Sequence, residues 1–86
     1  MSYEVQLTSA AARDLRKLDP PVKRRIQAVI DLLAENPHPP ASTQLVGGNG
    51  EWRARTGDYR VIYEIHDHVL VILVLRLGHR REIYRA

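Results

Sequence analysis

The 86-residue sequence contains no cysteine and no long hydrophobic run. Without cysteine, the chain cannot form disulfide bonds or a thiolate zinc site. Its longest apolar run, residues 69–75, is far too short to span a bilayer. The N-terminal segment MSYEVQLT does not resemble a signal peptide. We therefore expect a cytoplasmic protein that does not bind membranes.

Metal-binding motifs, internal repeats and low-complexity segments are also missing from the sequence. Its four histidines, His38, His66, His68 and His79, lack the carboxylate spacing of metal sites. We expect neither a metal nor another cofactor. A composition that is 44% hydrophobic and 27% charged is typical of a globular domain, and we expect one domain over residues 1–86.

Basic residues are abundant and unevenly distributed. The chain has 13 lysines and arginines against 10 acids, a formal charge of +3. Within residues 52–86 every one of these bases is an arginine, and lysine is absent. Guanidinium groups bind phosphate oxygens bidentately and stay charged at physiological pH. This bias favours a polyanionic ligand.

The N-terminal half predicts a strand followed by two helices. Apolar residues alternate with polar ones over residues 3–7, which is the period of a half-buried strand. Thr8 or Ser9 is suited to cap a helix over residues 9–18. Asp19 is suited to cap a second helix, which begins with two prolines and stops at residues 36–37. We expect these helices to form a hairpin.

The C-terminal half predicts a sheet. Residues 36–44 have no strand period and predict a surface loop that leads into a strand near Leu45, with a turn at residues 47–50. From Trp52 the period is two, which predicts three strands joined by turns at residues 57–58 and 66–68. The resulting fold class is α+β: a small, mainly antiparallel sheet with an N-terminal strand and a helical hairpin on one face.

Three arginines are predicted to lie close together on the sheet. Arg53 and Arg55 are two residues apart and share a face of one strand. Arg60, beyond the turn, becomes a cross-strand or diagonal neighbour of Arg55, so the two like charges repel. Either solvent screens this repulsion or an anion binds between the strands. In the second case Arg80 and Tyr84, from the C-terminal segment GHRREIYR, form another wall of the site; otherwise that segment is a solvated tail.

The run over residues 69–75 is apolar on both faces of its predicted strand. A strand of this kind is covered on both sides. We expect the helices on one face and a loop or a partner segment on the other.

The motif WRARTGDYRVIYEI, followed by GHRREIYR, resembles the RelE/ParE toxin superfamily and within it the RelE-like branch. The resemblance covers nearly the whole chain. It implies a RelE-like microbial RNase fold and a type II toxin that acts as a metal-independent, ribosome-dependent endoribonuclease, cutting mRNA in the A site. It also implies a cognate RelB-like antitoxin, encoded next to the toxin, and contact with operator DNA only through the toxin–antitoxin complex.

The resemblance also implies roles for individual residues. Arg55, Arg60 and Arg80 would stabilise the charge that develops on the phosphate. Tyr84 would take the proton from the 2′-hydroxyl, unless it is an aromatic residue packed at the sheet edge. His79 or Arg53 would supply the acid, although arginine is a poor proton donor at neutral pH. Further RNA contacts are assigned to Arg53, Arg81, Arg85, Lys17, Lys23 and Arg24; for the helix residues among them a solvated surface is the alternative.

Two other functions are compatible with the same fold. One is a ParE-like inhibitor of DNA gyrase, and the other is an inactive domain that only binds its antitoxin. The combination of Arg80 and Tyr84 favours the nuclease, because ParE-like members generally lack it.

Overall fold

A computed structural model describes residues 2–40, 42–45 and 50–83. These residues form five strands and three α-helices in the order β1 (Glu4–Leu7), α1 (Ser9–Arg16), α2 (Pro20–Glu35), β2 (Ser42–Gln44), β3 (Trp52–Thr56), β4 (Tyr59–His66), β5 (Val71–His79) and α3 (Arg80–Ile83). The strands make one sheet in the order β1-β5-β4-β3-β2. β1 runs parallel to β5 and the other pairs are antiparallel, so the predicted fold class is confirmed.

Both predicted helices are present and pack on the sheet, and the cap of the first is the expected one. The Thr8 Oγ1 atom accepts a hydrogen bond from the Ala11 amide at 3.1 Å. Asp19 is the N-cap residue of α2, as predicted, although its side chain makes no capping hydrogen bond. The two prolines that open α2 start the helix without it, since proline has no amide to satisfy and has a helical φ. Within the described ranges, every helix is too short or too polar to cross a bilayer.

The core lies between the sheet and the pair α1 and α2. Its buried residues are four from the helices and six from the sheet: Ala11, Ile26, Ile30, Leu33, Ala54, Val61, Tyr63, Ile72, Val74 and Leu77. Burying one large aliphatic side chain stabilises a fold by about 1.5–3 kcal/mol. Tyr63 brings a polar group into this core, and its hydroxyl donates to the Pro37 carbonyl at 2.8 Å. The core therefore fixes the loop after α2 as well as the helices.

β3 and β4 form the predicted hairpin around Gly57 and Asp58. Thr56 and Tyr59 are paired, so the connection is a two-residue turn. Gly57 has φ +61°, the left-handed value that a glycine-first hairpin turn requires. The sequence placed this turn correctly.

Three boundaries differ from the prediction. Ser42–Gln44, expected as loop, pairs with β3, and Leu45 follows that strand rather than lying in it. The third long strand begins at Val71, two residues late, because a 3₁₀ turn (Asp67–Val69) and a left-handed Leu70 with φ +55° precede it. α3 was not predicted at all. The expected turn at residues 47–50 falls mainly outside the described residues.

The pairing of β4 with β5 shifts by one residue. Tyr63 pairs with Val74 and Ile62 with Arg76, so Leu75 is an extra residue on β5. Thr8 holds this irregularity: its hydroxyl donates to the Leu75 carbonyl at 2.8 Å and its amide to the Val74 carbonyl at 3.0 Å. Side chains after Leu75 consequently point to the opposite faces from those that strict alternation predicts.

Asp14 of α1 secures the part of β5 that β1 does not reach. Pairing with β1 ends at Val74. The Leu77 amide donates to Asp14 Oδ2 at 3.1 Å, and the Arg76 guanidinium donates to both carboxylate oxygens at 2.7 and 3.2 Å. This hydrogen-bonded carboxylate raises the pKa of Arg76 above its usual value. The contact satisfies a strand amide that would otherwise lack a partner and fixes the end of β5, which leads into α3.

Candidate active site

The arginines predicted to cluster do share one face of the sheet. We call the face opposite α1 and α2 the arginine face; it carries Arg53, Arg55 and Arg60. In the β3–β4 register Arg55 pairs with Arg60 and Arg53 with Ile62. Neighbours on the same strands, including Ala54 and Val61, point into the core. Two guanidinium side chains thus come from directly opposite positions on paired strands, as the sequence indicated.

Arg60 is the buried member of this group, with 8% of its surface exposed. Its Nη1 atom donates to the carbonyl oxygens of Gly57 at 3.1 Å and Tyr59 at 3.3 Å. Its Nε atom is buried and has no hydrogen-bond partner within residues 2–40, 42–45 and 50–83. Among the described residues no carboxylate forms an ion pair with Arg60. A buried guanidinium is therefore held by neutral carbonyl groups through Nη1, while its Nε atom is left without a partner.

Arg53 and Arg55 line a cavity of about 280 Å³ together with Pro40 and Thr43. Arg53 Nη2 lies 3.4 Å from Thr43 Oγ1, a long hydrogen bond across the β2–β3 pair. Arg55 is exposed, and within the described part of the chain it makes no hydrogen bond or ion pair. This cavity offers two cationic groups and a hydroxyl. Thr43 was missed by the sequence analysis because β2 was expected to be loop.

α3 brings Arg80 to the hairpin turn between β3 and β4. The Arg80 amide donates to the Asp58 carbonyl at 2.8 Å, and Arg80 Nε lies 4.0 Å from Asp58 Oδ1. Both side chains are more than half exposed, so this ion pair is weak. Arg60 pairs with Gly78, the second residue before Arg80. Arg80 therefore begins α3 beside the turn that Arg55 and Arg60 flank.

His79 does not join the arginine face. It pairs with Tyr59, whose neighbours at two-residue spacing, Val61 and Tyr63, face the core. The rings of His79 and Tyr59 meet edge to face, with centroids 5.4 Å apart. They line a cavity of about 340 Å³ on the side of the sheet that carries α1 and α2. The imidazole and the guanidinium of Arg60 thus lie on opposite sides of the sheet.

The remaining predicted RNA contacts are spread over the surface. Arg81 is exposed on α3, Lys17 lines the His79 cavity, and Lys23 and Arg24 line a shallow groove on the outer surface of α2. Lys17, Lys23 and Arg24 therefore lie away from the arginine face. Tyr84 and Arg85 lie outside the described residues.

Arg25 is an additional cation near the site. Its Nη1 atom lies 3.7 Å from the position that a Cβ atom on Gly57 would occupy. Arg25 belongs to α2, so it extends the positive charge from the hairpin turn toward the helices. The sequence does not predict this contact. Arg25 is one of three consecutive basic residues in α2, and helical spacing alone cannot identify which of them reaches the turn between β3 and β4.

The described residues contain no group of three histidine, aspartate or glutamate side chains arranged to hold a metal ion. The arginine face offers guanidinium groups and the hydroxyl of Thr43. Guanidinium groups stabilise anions by charge and by directed hydrogen bonds. Phosphate esters fit this set of donors.

Comparisons with known proteins agree with this fold. Residues 5–84 match the family described as ParE toxin of the type II toxin–antitoxin system, parDE. The chain is 37% identical over 92 residues to toxin RelG of Mycobacterium tuberculosis, covering 99% of each chain. It is 33% identical to toxin RelE of the same organism, covering 96% of this chain and 87% of the relative.

Solved structures show the same architecture. The toxin–antitoxin complex RelBE2 of M. tuberculosis contains a chain that superposes with a TM-score of 0.83 at 32% identity, covering 93% of this chain and 100% of that one. In the archaeal RelE–RelB complex of Pyrococcus horikoshii the TM-score is 0.81 at 32% identity, with 95% and 99% coverage. By sequence and by fold, the chain belongs to the RelE/ParE family and is the toxin of a type II toxin–antitoxin system.

Proposed function

We propose that this toxin is a ribosome-dependent endoribonuclease that cleaves mRNA in the A site and thereby stops translation. The observation that supports this most strongly is Arg60, a buried guanidinium with an unpartnered Nε atom and no carboxylate partner among the described residues. Leaving a charge buried without a counterion is costly. A phosphate group beside Arg60 and Arg55 offsets that cost and separates their like charges.

The proposed reaction is attack of a ribose 2′-oxygen on the adjacent phosphorus. The P–O5′ bond breaks, leaving a cyclic phosphate and a free 5′-hydroxyl, while a base takes the 2′-proton and an acid protonates the 5′-oxygen. Arg55, Arg60 and Arg80 stabilise the charge that accumulates on the phosphate oxygens. Tyr84, from the C-terminal segment GHRREIYR, is proposed as the base from the sequence alone, since guanidinium groups beside a phenol would favour the phenolate.

The arginine face explains the proposed need for the ribosome. Of the two acids suggested by the sequence, only Arg53 lies on this face, and arginine is a poor proton donor at neutral pH. The arginine face can therefore stabilise negative charge on the phosphate, but among the described residues it lacks an efficient proton donor for the leaving oxygen. The ribosome would supply the missing contribution by holding the 2′-hydroxyl in line with the scissile bond. This function also places the protein in the cytoplasm.

The test is to incubate the purified protein with a model transcript, with and without programmed ribosomes, and to map the 5′ ends by primer extension. We expect cleavage within the A-site codon only when ribosomes are present. Arg55→Ala should lower the cleavage rate by roughly 10²-fold, because it removes a cation that stabilises the transition state. Arg55 is exposed, so this variant should remain folded.

Arg13→Ala is the matched control, since Arg13 is an exposed arginine on α1 and its loss changes the net charge equally. It should cleave like the unmodified protein. Equal cleavage with and without ribosomes would contradict the ribosome requirement. Equal loss in both variants would show that net charge matters and the arginine face does not.

A gyrase inhibitor is the second candidate, because the matching family is described as ParE toxin. That function predicts loss of DNA supercoiling by gyrase when the toxin is added, together with no new mRNA ends. Gyrase inhibition without cleavage would replace the nuclease proposal. Neither activity would indicate a domain that only binds its antitoxin.

We also propose a cognate RelB-like antitoxin encoded beside the toxin gene, with operator DNA contacted only through the complex. The structures of the M. tuberculosis and P. horikoshii relatives are toxin–antitoxin complexes. An acidic segment of such a partner would meet Arg53, Arg55, Arg60 and Arg80 by charge complementarity.

Co-expression with the neighbouring open reading frame, followed by purification through a tag on one chain, tests this partner. We expect both chains to co-purify and toxicity to disappear. Affinity that falls as salt rises would indicate direct pairing with the arginines, because screening weakens exposed ion pairs. Failure of any adjacent small protein to co-purify or to relieve toxicity would exclude the proposed partner.

A further inference from the structure

We propose that His79 is a positioning residue that caps α3, and that it takes no part in proton transfer. The capping role is independent of the proposed function. Its effect on cleavage rests on that function, because α3 carries Arg80. α3 is four residues long, and three contacts hold it to the sheet. They are the Arg80 amide on the Asp58 carbonyl, the Arg81 amide on His79 Nδ1, and the side chain of Ile83 against Gly78.

The contact of His79 with Arg81 has the geometry of a helix N-cap. His79 is the last residue of β5, and α3 begins at Arg80. The Arg81 amide, second in the helix, donates to His79 Nδ1 at 3.1 Å. Aspartate, asparagine and serine cap helices through the same relation, with a side-chain acceptor for the second or third amide. Because α3 has only four residues, this is a large share of the hydrogen bonds that its backbone amides can make.

The ring is fixed from its other side as well. Tyr59 packs against it edge to face at an interplanar angle of 83°. Lys17 and Glu82 line the cavity beyond the two rings, at the end of α1 and on α3 respectively. A residue that donates and accepts protons during catalysis needs access to the reacting oxygen atoms. His79 instead lies on the α1 and α2 side, while its neighbour Gly78 pairs with Arg60 on the arginine face.

The capping bond also sets the tautomer. Because Nδ1 accepts a hydrogen bond from an amide, the proton of the neutral imidazole resides on Nε2. A proton on Nδ1 would remove the acceptor and release the Arg81 amide. The two roles considered for His79 are therefore incompatible at this nitrogen atom, and the structure favours the cap.

Asparagine and alanine substitutions distinguish the two roles. His79→Asn places an amide oxygen near the position of Nδ1 and is a good cap, but it does not transfer protons at neutral pH. His79→Ala removes both abilities. His68→Ala, at an exposed histidine of the 3₁₀ turn, is the control and should behave like the unmodified protein.

The first measurement is hydrogen exchange of the Arg81 amide by NMR in the free protein, which does not depend on activity. We expect protection to fall by about fivefold in His79→Ala and to be largely kept in His79→Asn. The second is single-turnover cleavage with programmed ribosomes. We expect His79→Ala to be slower by roughly tenfold, because Arg80 is less well placed, and His79→Asn to be close to the unmodified protein with an unchanged pH profile.

Each result decides a separate point. Unchanged protection of Arg81 in His79→Ala would overturn the cap. Full protection with lost cleavage in His79→Asn would show that the imidazole transfers protons. If the unmodified protein cleaves no mRNA, the proposed function fails, and the exchange data still decide whether His79 caps α3.

Discussion

Gly78 lets α3 pack closely against the end of the sheet. Its φ is +150°, which strains any other residue, and a Cβ atom there would lie 3.4 Å from Ile83 Cγ2, at the short end of van der Waals contact. We expect Gly78→Ala to lower the free energy of unfolding by roughly 1–3 kcal/mol through backbone strain and to displace α3. Urea unfolding and ribosome-dependent cleavage should both be measured, and both should decrease.

Gly50 provides the matched control for Gly78. It also has a positive φ, +90°, but no atom of the described residues lies within 4 Å of a Cβ built on it. Gly50→Ala should therefore lose stability through strain without a change in cleavage. Normal cleavage by Gly78→Ala would mean that the placement of α3 does not matter for activity.

Single-residue features were predicted unevenly, for a physical reason. The proximity of Arg55 and Arg60 follows from a two-residue turn and strand alternation, both visible in the sequence. The burial of Arg60 does not follow, because spacing cannot show that its guanidinium folds back onto the carbonyl groups of Gly57 and Tyr59. The position of His79 was missed because the extra residue Leu75 reverses the alternation of β5.

Among the elements, α2 provides a cationic surface separate from the arginine face. Lys23 and Arg24 are exposed on its outer side. If they contact ribosomal RNA phosphates, Lys23→Ala with Arg24→Ala should weaken ribosome binding and reduce the dependence of log affinity on log salt by about 2, roughly 1 per lost phosphate contact. The cleavage rate on saturated ribosomes should not change, since these residues lie away from the arginines of the sheet.

Sedimentation with ribosomes at several salt concentrations measures this effect. Arg13→Ala with Arg16→Ala on α1 removes the same charge from exposed positions and serves as the control. Equal salt dependence in the two double variants would identify the α2 cations as a solvated surface.

Long elements were predicted better than short ones. α2 and the β3–β4 hairpin have enough residues to show a period, together with proline and glycine signals at their ends. β2 has three residues and α3 has four, and neither shows a period at that length. Both depend on a partner: β2 on its register with β3, and α3 on the ends of β4 and β5. These two short elements supply Thr43 and Arg80, so the least predictable segments complete the site.

At the scale of the whole molecule, Tyr63 couples stability to alkaline pH. Its side chain is fully buried, and burial raises the pKa of Tyr63 above 10.0, an effect that a hydrogen bond with Ser42 partly opposes. The unfolded chain therefore loses this proton at a lower pH than the folded protein. The contribution of Tyr63 is fully present below pH 10 and is lost as the pH rises through its folded pKa.

Urea unfolding at pH 8 and at pH 10.5 tests this coupling. Tyr63→Phe should lose about 1 kcal/mol at pH 8, because the Pro37 carbonyl loses its hydrogen bond. Between pH 8 and pH 10.5, the free energy of unfolding should fall less in Tyr63→Phe than in the unmodified protein. Tyr59→Phe, at a half-buried tyrosine of the same strand, is the control for loss of a phenol. The same alkaline loss in Tyr63→Phe and the unmodified protein would show that another group controls it.

The extra residue Leu75 bears on how this toxin and its relatives can diverge. In an uninterrupted strand, gaining or losing one residue inverts every side chain that follows, and such a change is seldom compatible with folding. Here one inversion is already accommodated, since Thr8 binds the backbone on either side of the irregularity. If the irregularity moved along β5 by one or more positions, some of the residues from Arg76 to His79 would change from one face of the sheet to the other. No side chain would have to be substituted for this to happen. Aligned positions near the C-terminus of these toxins therefore need not share a face of the sheet, and transferring a catalytic role from one relative to another there requires the strand register as well as the alignment.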